Sequence, residues 1–274
     1  MRLHGISDLH VASSMNRDAV KALPAHPDDW LIVAGDVGET PAQLEWTLRV
    51  LRSRYRQLVW VPGNHELWTL PNDPVQLRGE ARYLHLVELC RSLGVLTPED
   101  PYAVLDTGDE AVVVAPLFLL YDYTFRPDGL TMEEALERAW RSGTVCADEL
   151  LLAPDPYPTR EAWCRARVAW TEARLAAVPG QHRLVLVSHF PLRQDVVHLP
   201  TIPDFALWCG TRLTEDWHRR FRAAAVVMGH LHTPGVWWRD GVRFEEVSLG
   251  YPQQWGRREL RPRLREVLPG RPRP

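Results

Sequence analysis

The chain has 274 residues, of which 45% are hydrophobic, so it can bury one sizeable core without a second domain. Lys and Arg number 32 against 35 Asp and Glu, and the formal charge of -3 excludes a protein that attracts nucleic acid through its overall charge. No apolar stretch could span a membrane and none precedes the first motif at Asp8, so we expect no signal peptide, no membrane partner and a cytoplasmic location.

Short runs rich in Val, Leu and Ile recur along the chain and indicate buried strands. They cover residues 3–6, 31–33, 58–61, 112–114, 184–187 and 225–228. Near the end, Asp240-Gly241 separates the runs 236–239 and 242–247 and predicts a β-hairpin.

Helix start signals lie between several of these runs. A capping box with proline at the first helical position predicts helix starts at Thr40 and at Asp73, and Gly94 predicts the end of the second helix. Further starts are predicted at Thr131, at Thr159 and near Thr214. The alternation of strands and helices predicts an α/β layered fold with antiparallel strands added to a core sheet.

The chain is predicted to form a single domain over residues 1–250. Within it, residues 121–180 interrupt the alternation with two helices and a proline-rich joint at 154–158, and we interpret this stretch as an inserted helical cap. Residues 251–274 are rich in Arg and Pro with little apolar periodicity, which predicts a solvated tail. The four cysteines form no C-x-x-C pair, so we expect reduced thiols.

Five of the predicted strands are followed directly by a polar cluster. The clusters are Asp8-Leu9-His10, Gly35-Asp36, Gly63-Asn64-His65-Glu66, Ser188-His189 and Gly229-His230-Leu231-His232. In α/β sheets the loops at this edge converge and bind ligands, so residues dispersed in sequence can meet there. Each motif is weak alone, since a lone histidine beside a strand is more often structural. Together, and in this order, they predict a shared metal site.

Seven of these side chains are candidate metal ligands: Asp8, His10, Asp36, Asn64, His189, His230 and His232. Mixed imidazole, carboxylate and amide ligation suits Mn, Fe, Zn or Ni better than Mg or Ca alone. Seven ligands exceed what one ion takes but fit two ions that share a carboxylate, an arrangement that clamps an in-line displacement at phosphorus. Glycines at 35, 63 and 229 directly precede ligands, which suits sharp turns and close backbone approach.

The motifs D-x-H, G-D, G-N-H-E, S-H and G-H-x-H, in this order from residue 8 to residue 232, resemble the signature of the calcineurin-like metallophosphoesterases. The resemblance implies a β sandwich of two mixed sheets flanked by helices. It also implies two divalent or trivalent transition metal ions, for which we expect Mn or Fe. The implied ligands are Asp8, His10, Asp36 and His232 for one ion, and Asp36, Asn64, His189 and His230 for the other.

The resemblance implies that a hydroxide bridging both metals attacks phosphorus, and that His65, unligated, stabilises or protonates the departing oxygen. For Glu66 two roles stay open: it orients an imidazole, or it faces solvent or caps a turn.

Two alternative functions are possible on the same fold: a protein that binds a partner without catalysis, and an enzyme that acts on nucleic acid. A noncatalytic partner-binding protein, like the retromer subunit built on this scaffold, usually lacks ligands or the His after Asn, and here all are present. A nuclease would need a basic stripe with interleaved aromatics, which is absent outside the tail. We therefore expect an enzyme, a phosphoric ester hydrolase, without a nucleic-acid partner.

The substrate is indicated by a second resemblance, in the C-terminal third of the chain. Residues 188–191, 207–211 and 214–218 are similar to a bacterial branch that includes phosphopantetheinyl hydrolases, which remove 4′-phosphopantetheine from carrier proteins. This implies holo-acyl carrier protein as a partner, and an acidic carrier would need arginines near the mouth, with Arg193 and Arg212 as candidates. The alternative is a phosphodiesterase or phosphomonoesterase acting on cyclic nucleotides or small molecules.

Overall fold

The computed structural model of the chain describes residues 1–108, 110–255 and 264–270. Within these ranges the strands are β1 Leu3–Ile6, β2 His26–Val33, β3 Tyr55–Trp60, β4 Ala103–Asp106, β5 Ala111–Pro116, β6 Arg183–Val187, β7 Ala223–Met228, β8 Gly235–Arg239, β9 Val242–Glu246 and β10 Arg265–Leu268.

The α-helices of the same ranges are α1 Ser14–Ala22, α2 Pro41–Arg52, α3 Asn64–Leu67, α4 Gly79–Ser92, α5 Met132–Arg141, α6 Asp148–Leu151, α7 Arg160–Ala176, α8 Trp217–Arg220 and α9 Pro252–Trp255. Short 3-10 helices cover Gln194–Val196, Pro203–Trp208 and Arg212–Thr214. None of the helices in the described ranges combines the length and apolarity needed to cross a membrane.

The strands form two mixed sheets, as the family resemblance implies. One has the order β10-β1-β2-β3, with the last three parallel and β10 antiparallel at the edge. The other has the order β4-β5-β6-β7-β9-β8, in which the four central strands run parallel and the two edge strands pair antiparallel. A buried apolar cluster with side chains from both sheets joins them into a sandwich.

Alternation along the strands explains why they appear as unbroken apolar runs. Val185 and Val187 of β6 face the core between the sheets, whereas Leu184 and Leu186 face the cluster beneath the helices. Both sides are buried, so neither needs polar side chains. β6 is therefore a central strand, and its carboxyl end leads directly to Ser188-His189.

Local signals predict several of the helix starts. Thr40, Thr131 and Thr159 each accept a hydrogen bond from a backbone N–H of the first turn of the helix that follows, which confirms these three predictions. The start predicted at Asp73 is wrong, because α4 begins at Gly79. Asp73 instead pairs with the buried Arg82 at 2.9 Å, so tertiary contacts override the local signal.

Other local predictions are confirmed with small differences. Gly94, with a φ of 68°, follows α4 as predicted, and the region near Thr214 leads to α8, which begins at Trp217. Asp240 and Gly241 form the hairpin turn between β8 and β9, with φ values of 51° and 79°. The helix α1, capped by Ser13, is absent from the sequence predictions.

Two parts of the predicted tail are folded into the domain instead. Residues 252–255 form α9, in which Trp255 is buried, and β10 pairs with β1 and buries Val267 completely. These few apolar residues stand among charged residues and prolines, so no periodic signal marks them. Residues 256–263 and 271–274 of the predicted tail lie outside the described residues.

The residues assigned to the cap, 121–180, contain α5, α6 and α7 and are called the cap segment below. Parallel β5 and β6 need a crossover connection, and α7 supplies it, with Trp163 fully buried in the core beneath the helices. Part of the cap segment is thus an ordinary flanking helix. The assignment of the whole stretch as an inserted cap stays a prediction.

Candidate metal centre

The structure brings the predicted metal ligands together at one edge of the sandwich, where the loops after β1, β2, β3, β6 and β7 converge. Potential ligand atoms within 4.8 Å of one another occur there in three groups: Asp8, His10 and His232; His10, Asp36 and His65; and Asp36, His189 and His230. The groups share His10 and Asp36 and therefore form one continuous site. Asn64 precedes His65 at the start of α3.

The backbone at these positions is held in conformations that residues other than glycine rarely adopt. Five of the seven predicted ligands have positive φ values: Asp8 (53°), His10 (40°), Asp36 (51°), His230 (71°) and His232 (52°). Such strain persists where the surrounding structure enforces it, and it is common at functional sites. Close packing adds a second constraint, because a Cβ at Gly63 would collide with the Asp36 carboxylate and a Cβ at Gly229 would lie 2.5 Å from Asp8 Oδ2.

Two pairs of imidazole nitrogens face each other across the site. His10 Nε2 lies 3.1 Å from His232 Nε2, and His189 Nε2 lies 3.2 Å from His230 Nδ1. The opposite nitrogens of His189 and His232 donate hydrogen bonds to the Ala34 carbonyl and to the Gln254 side-chain oxygen, both at 2.9 Å. A proton on Nδ1 leaves Nε2 of His189 with a free lone pair. Nε2 of His232 lies 3.0 Å from Asp8 Oδ1 and offers its lone pair to a metal once it carries no proton.

This arrangement fits metal ions. With metal–nitrogen distances of about 2.0–2.1 Å, two nitrogens a little over 3 Å apart can share one ion. Asn64 also supports a metal site, because its Nδ2 donates to Asp148 Oδ1 at 2.9 Å while its buried Oδ1 has no hydrogen-bond partner among the described residues. An unpartnered amide oxygen beside imidazoles and carboxylates is a ligand set for transition metals.

The charges of the site also call for cations. Burial raises the pKa of Asp36 well above its usual value, and the neighbouring carboxylate of Asp8 raises it further. Burial opposes ionisation of Asp8 as well, but the neighbouring imidazoles of His232, His189 and His10 together outweigh it and hold the pKa of Asp8 well below its usual range. Burial lowers the pKa of both His10 and His230 well below the usual value. Neutral imidazoles beside carboxylates are ready to bind metal.

Glu66 supports the site through the backbone rather than through an imidazole. It is buried, and its carboxylate accepts hydrogen bonds from the backbone N–H groups of Asp36 (3.0 Å), Val37 (2.7 Å) and Gly63 (2.9 Å). The carboxylate thus joins the loops after β2 and β3. Of the roles left open by the sequence, capping is confirmed, because Gly63 is the N-cap residue of α3 and its N–H donates to Glu66, whereas burial excludes a side chain that faces solvent.

His65 lies between the metal centre and the ring of Trp68. Its Nε2 is 3.7 Å from Asp36 Oδ2, its Nδ1 is 3.4 Å from Glu39 Oε1, and its ring packs on Trp68 with ring centroids 3.7 Å apart. Glu39 therefore lies on one side of the imidazole and the carboxylate of Asp36 on the other. This orientation presents Nε2 to the centre.

Several residues of the site carry no sequence signal that singles them out. Asp148, completely buried on α6, accepts hydrogen bonds from Asn64 and, at 2.6 Å, from Trp68 Nε1. Tyr251, which the sequence assigns to the tail, stacks on His10 with ring centroids 4.3 Å apart. The only available hint for Asp148 is its type, a carboxylate in a helical segment, and that describes many solvated residues.

The chain is similar to known proteins in both sequence and structure. The family model described as Calcineurin-like phosphoesterase matches residues 1–234. The acyl-carrier-protein phosphodiesterase PptH of Mycobacterium tuberculosis is 49% identical over 269 residues, which cover 97% of this chain and 83% of that protein. The crystal structure of phosphopantetheinyl hydrolase (PptH) from M. tuberculosis matches with a TM-score of 0.94 and 49% identity, covering 98% of this chain and 96% of that chain. AQ665 from Aquifex aeolicus matches at 12% identity and a TM-score of 0.36, covering 96% of this chain and 95% of that chain, and adds no support.

Proposed function

This chain belongs to the calcineurin-like phosphoesterase family, and we propose that it hydrolyses the phosphodiester that joins 4′-phosphopantetheine to the serine of a holo-acyl carrier protein. As a member of that family it is a metal-dependent hydrolase of phosphoesters. The observation that carries the choice of substrate is the 49% identity to the acyl-carrier-protein phosphodiesterase PptH, which extends over 97% of this chain.

The proposed metal ligands are the seven residues predicted from the sequence. Asp8, His10, Asp36 and His232 would hold one ion, and Asp36, Asn64, His189 and His230 the other, with Mn and Fe as the proposed metals. The facing nitrogens and the unpartnered Asn64 oxygen support this set. When bound, the ions would supply positive charge that acidifies the attacking water and offsets the charge of the phosphoryl group.

The reaction exchanges one bond at phosphorus for another. The oxygen of water bonds to phosphorus, the bond from phosphorus to the carrier serine oxygen breaks, and that oxygen must gain a proton. We assign the proton donor as His65, whose Nε2 faces the centre while Glu39 lies 3.4 Å from its other nitrogen. The products are the apo carrier protein and free 4′-phosphopantetheine.

Aromatic rings border the metal centre. Three half-buried rings, from Trp68, Tyr251 and Phe205, pack on histidines of the site. The phosphodiester lies at the base of the phosphopantetheine arm, next to the carrier serine, so the carrier surface must approach the centre while the rest of the arm can lie against these rings. The apolar faces of these rings complement the methylene and dimethyl groups of the arm.

Electrostatic attraction of an acidic carrier is less simple than the sequence suggests. Arg193 donates to both carboxylate oxygens of Asp195, at 2.8 and 2.9 Å, and is therefore neutralised. Arg212 pairs with Asp128 at 2.7 Å, but both side chains are largely exposed, so solvent weakens that pair and a carrier could replace it. Of the two candidate arginines we retain Arg212.

We also propose a cytoplasmic location. All four cysteines of the chain are buried and free, which is typical of proteins in a reducing compartment.

The test is to incubate Mn-loaded enzyme with holo-carrier protein and to measure the intact mass of the carrier. Conversion to the apo mass with release of free 4′-phosphopantetheine is the expected result. The Asp36→Ala variant serves as the control for contaminating hydrolases. Persistence of the holo mass, while the same preparation hydrolyses simple phosphodiesters, would refute the carrier-protein substrate and leave the family activity intact.

A further inference from the structure

A second cluster of metal-binding side chains lies far from the centre, near the amino-terminal ends of β1 and β2. His4 on β1 and His26 and Asp29 on β2 each offer a ligand atom, and these atoms lie within 4.8 Å of one another. The metal centre occupies the opposite, carboxyl ends of the same strands. The cluster therefore has no part in the proposed hydrolysis.

Both imidazoles face the same carboxylate oxygen. His4 Nε2 lies 3.2 Å from Asp29 Oδ2, His26 Nδ1 lies 3.8 Å from it, and the two rings stack with centroids 4.6 Å apart. A hydrogen bond that only fastens β1 to β2 needs one imidazole. A second imidazole directed at the same oxygen is the arrangement expected of a metal site.

The backbone of β2 places these groups together. His26 pairs with Tyr55 of β3 and Trp30 pairs with Gln57, so three residues of β2 stand opposite one residue of β3. This bulge brings His26 and Asp29 to the same side of the strand, where His4 already points. In a regular strand, positions 26 and 29 would face opposite sides of the sheet.

The chemistry of the three groups suits a cation. Burial lowers the pKa of His4, which favours the neutral imidazole that binds metal. Burial opposes ionisation of Asp29, but the Arg2 backbone N–H, which donates to it at 2.8 Å, and the imidazole of His4 outweigh burial and lower the pKa of this carboxyl. The nearby Arg2 guanidinium is paired with Glu266 at 2.5 Å, so the net local charge is that of Asp29.

Space for the remaining coordination position is present. A cavity of about 520 Å³ opens beside His4 and His26 and reaches Glu266 on β10. The His26 side chain is 35% exposed and can turn to close the 3.8 Å separation. Two imidazoles, one carboxylate and an open position for water form a ligand set that zinc commonly takes.

We propose that His4, His26 and Asp29 bind a zinc ion, separate from the dinuclear centre, that fastens the start of β2 to β1. The ion takes three protein ligands, and water from the cavity completes its coordination. Its role is structural, because no group of the proposed reaction lies at this end of the strands.

The experiment compares zinc binding by the Mn-loaded wild-type enzyme, the variant His26→Gln and the matched control His85→Gln. His85 is an exposed histidine of α4 and belongs to none of the metal-capable groups found among the described residues. Each protein is equilibrated with ZnCl₂, freed of unbound metal and analysed for zinc per chain. Any exchange at the dinuclear centre is common to all three, so the difference isolates the new site.

We expect His26→Gln to hold one zinc ion per chain fewer than the wild type and than His85→Gln, with unchanged hydrolysis of a simple phosphodiester. Equal zinc content in all three would overturn the proposal. Asp29→Asn, which keeps an oxygen for the Arg2 N–H, must lose the same ion. Anomalous scattering at the zinc edge from wild-type crystals must show a peak between His4, His26 and Asp29, and a map with none there would refute the site directly.

Discussion

The metal centre and the cap segment contribute to one site in opposite ways. The centre takes its predicted ligands from loops at the ends of five strands in both sheets, and five of those residues have strained, left-handed backbones. The cap segment is continuous in sequence, contains three helices joined by loops, and reaches the centre through the buried carboxylate of Asp148. The proposed ligands would determine whether an ion is held, whereas Asp148 would determine how one of them, Asn64, is oriented. Loss of function should therefore be complete in the centre and graded in the cap segment.

The largest effect is expected at Asp36, the carboxylate that both proposed ions share. Asp36→Ala should lower hydrolysis of an aryl phosphodiester by more than the 10–100-fold, in order of magnitude, that is typical of residues orienting a ligand. Metal content should fall as well, as measured by elemental analysis. Asp18→Ala, which removes an exposed carboxylate from α1, is the matched control. A folded Asp36→Ala protein with normal activity and metal content would show that two ions do not share this residue.

His65 tests whether the centre contains a group that acts without binding metal. His65→Ala should keep near-normal metal content but slow hydrolysis by about 10²–10⁴-fold for substrates with poor leaving groups, which need a proton. Aryl phosphates with acidic phenols need none and should lose much less. The measurement is turnover across a series of leaving-group pKa values. An equal loss across that series would remove His65 from the role of acid.

The contrast between the two regions also explains what the sequence can predict. Asp8, Asp36 and His230 directly follow apolar strands, and the glycines that precede two of them are required by close contacts, so type and position together mark the site. The same runs mark the strands, whereas the sandwich of two mixed sheets is implied by the resemblance of the motifs to the family. Asp148 has no such mark, because its partner Asn64 is 84 residues away and only the folded chain brings them together.

Errors of prediction arise where long-range contacts decide. The capping pattern at Asp73 is complete in the sequence, but the buried Arg82 takes that carboxylate and α4 starts at Gly79. The segment predicted as a tail contributes Tyr251 and Gln254 to the centre, and β10 to a sheet edge. Few apolar residues mark that segment, and a single strand at an edge needs only two or three.

Substitutions of Asp148 test whether the cap segment positions a proposed ligand of the centre. Asp148→Ala removes the acceptor for Asn64 Nδ2, so the side-chain amide can rotate and its oxygen is no longer held towards the centre. Turnover should fall by roughly 10–100-fold. Asp148→Asn keeps an acceptor oxygen and should restore part of that loss, with KM for a small diester unchanged. Glu137→Gln, on the exposed side of α5, is the control. Full activity of Asp148→Ala would mean that the cap segment does not position Asn64.

A residue that is close to a proposed ligand in sequence need not affect turnover when it is substituted. Arg193 follows His189 by only four residues, yet its hydrogen bonds lower the pKa of Asp195 to about 2. The folded pKa lies below the ordinary value of about 3.9, so this stabilisation is complete above that pH and is lost as pH falls towards 2. Because Asp195 is nearly half exposed, we expect about 1 kcal/mol or less.

Arg193→Gln should therefore flatten the acid limb of the unfolding free energy between about pH 4 and pH 2, where the wild type loses this contribution. Arg239, which also donates to Asp195, should preserve part of it. Chemical denaturation across that pH range measures the effect, and KM for holo-carrier protein should stay unchanged. A raised KM would return Arg193 to the docking surface.

The smallest effect is expected two residues from Asp148, at Leu150. Both lie on α6, but Asp148 is completely buried and Leu150 is 91% exposed, so the same short helix offers an inward and an outward position. Leu150→Ser buries no polar group and opens no cavity, and the free energy of unfolding should change by less than about 0.5 kcal/mol. Turnover of a small diester should be unchanged, because the hydrogen bonds of Asp148 to Asn64 and Trp68 persist. If Leu150→Ser slows the small diester as much as Asp148→Ala does, the helix as a whole and not its one carboxylate supports the centre, and the graded contribution assigned to the cap segment is wrong.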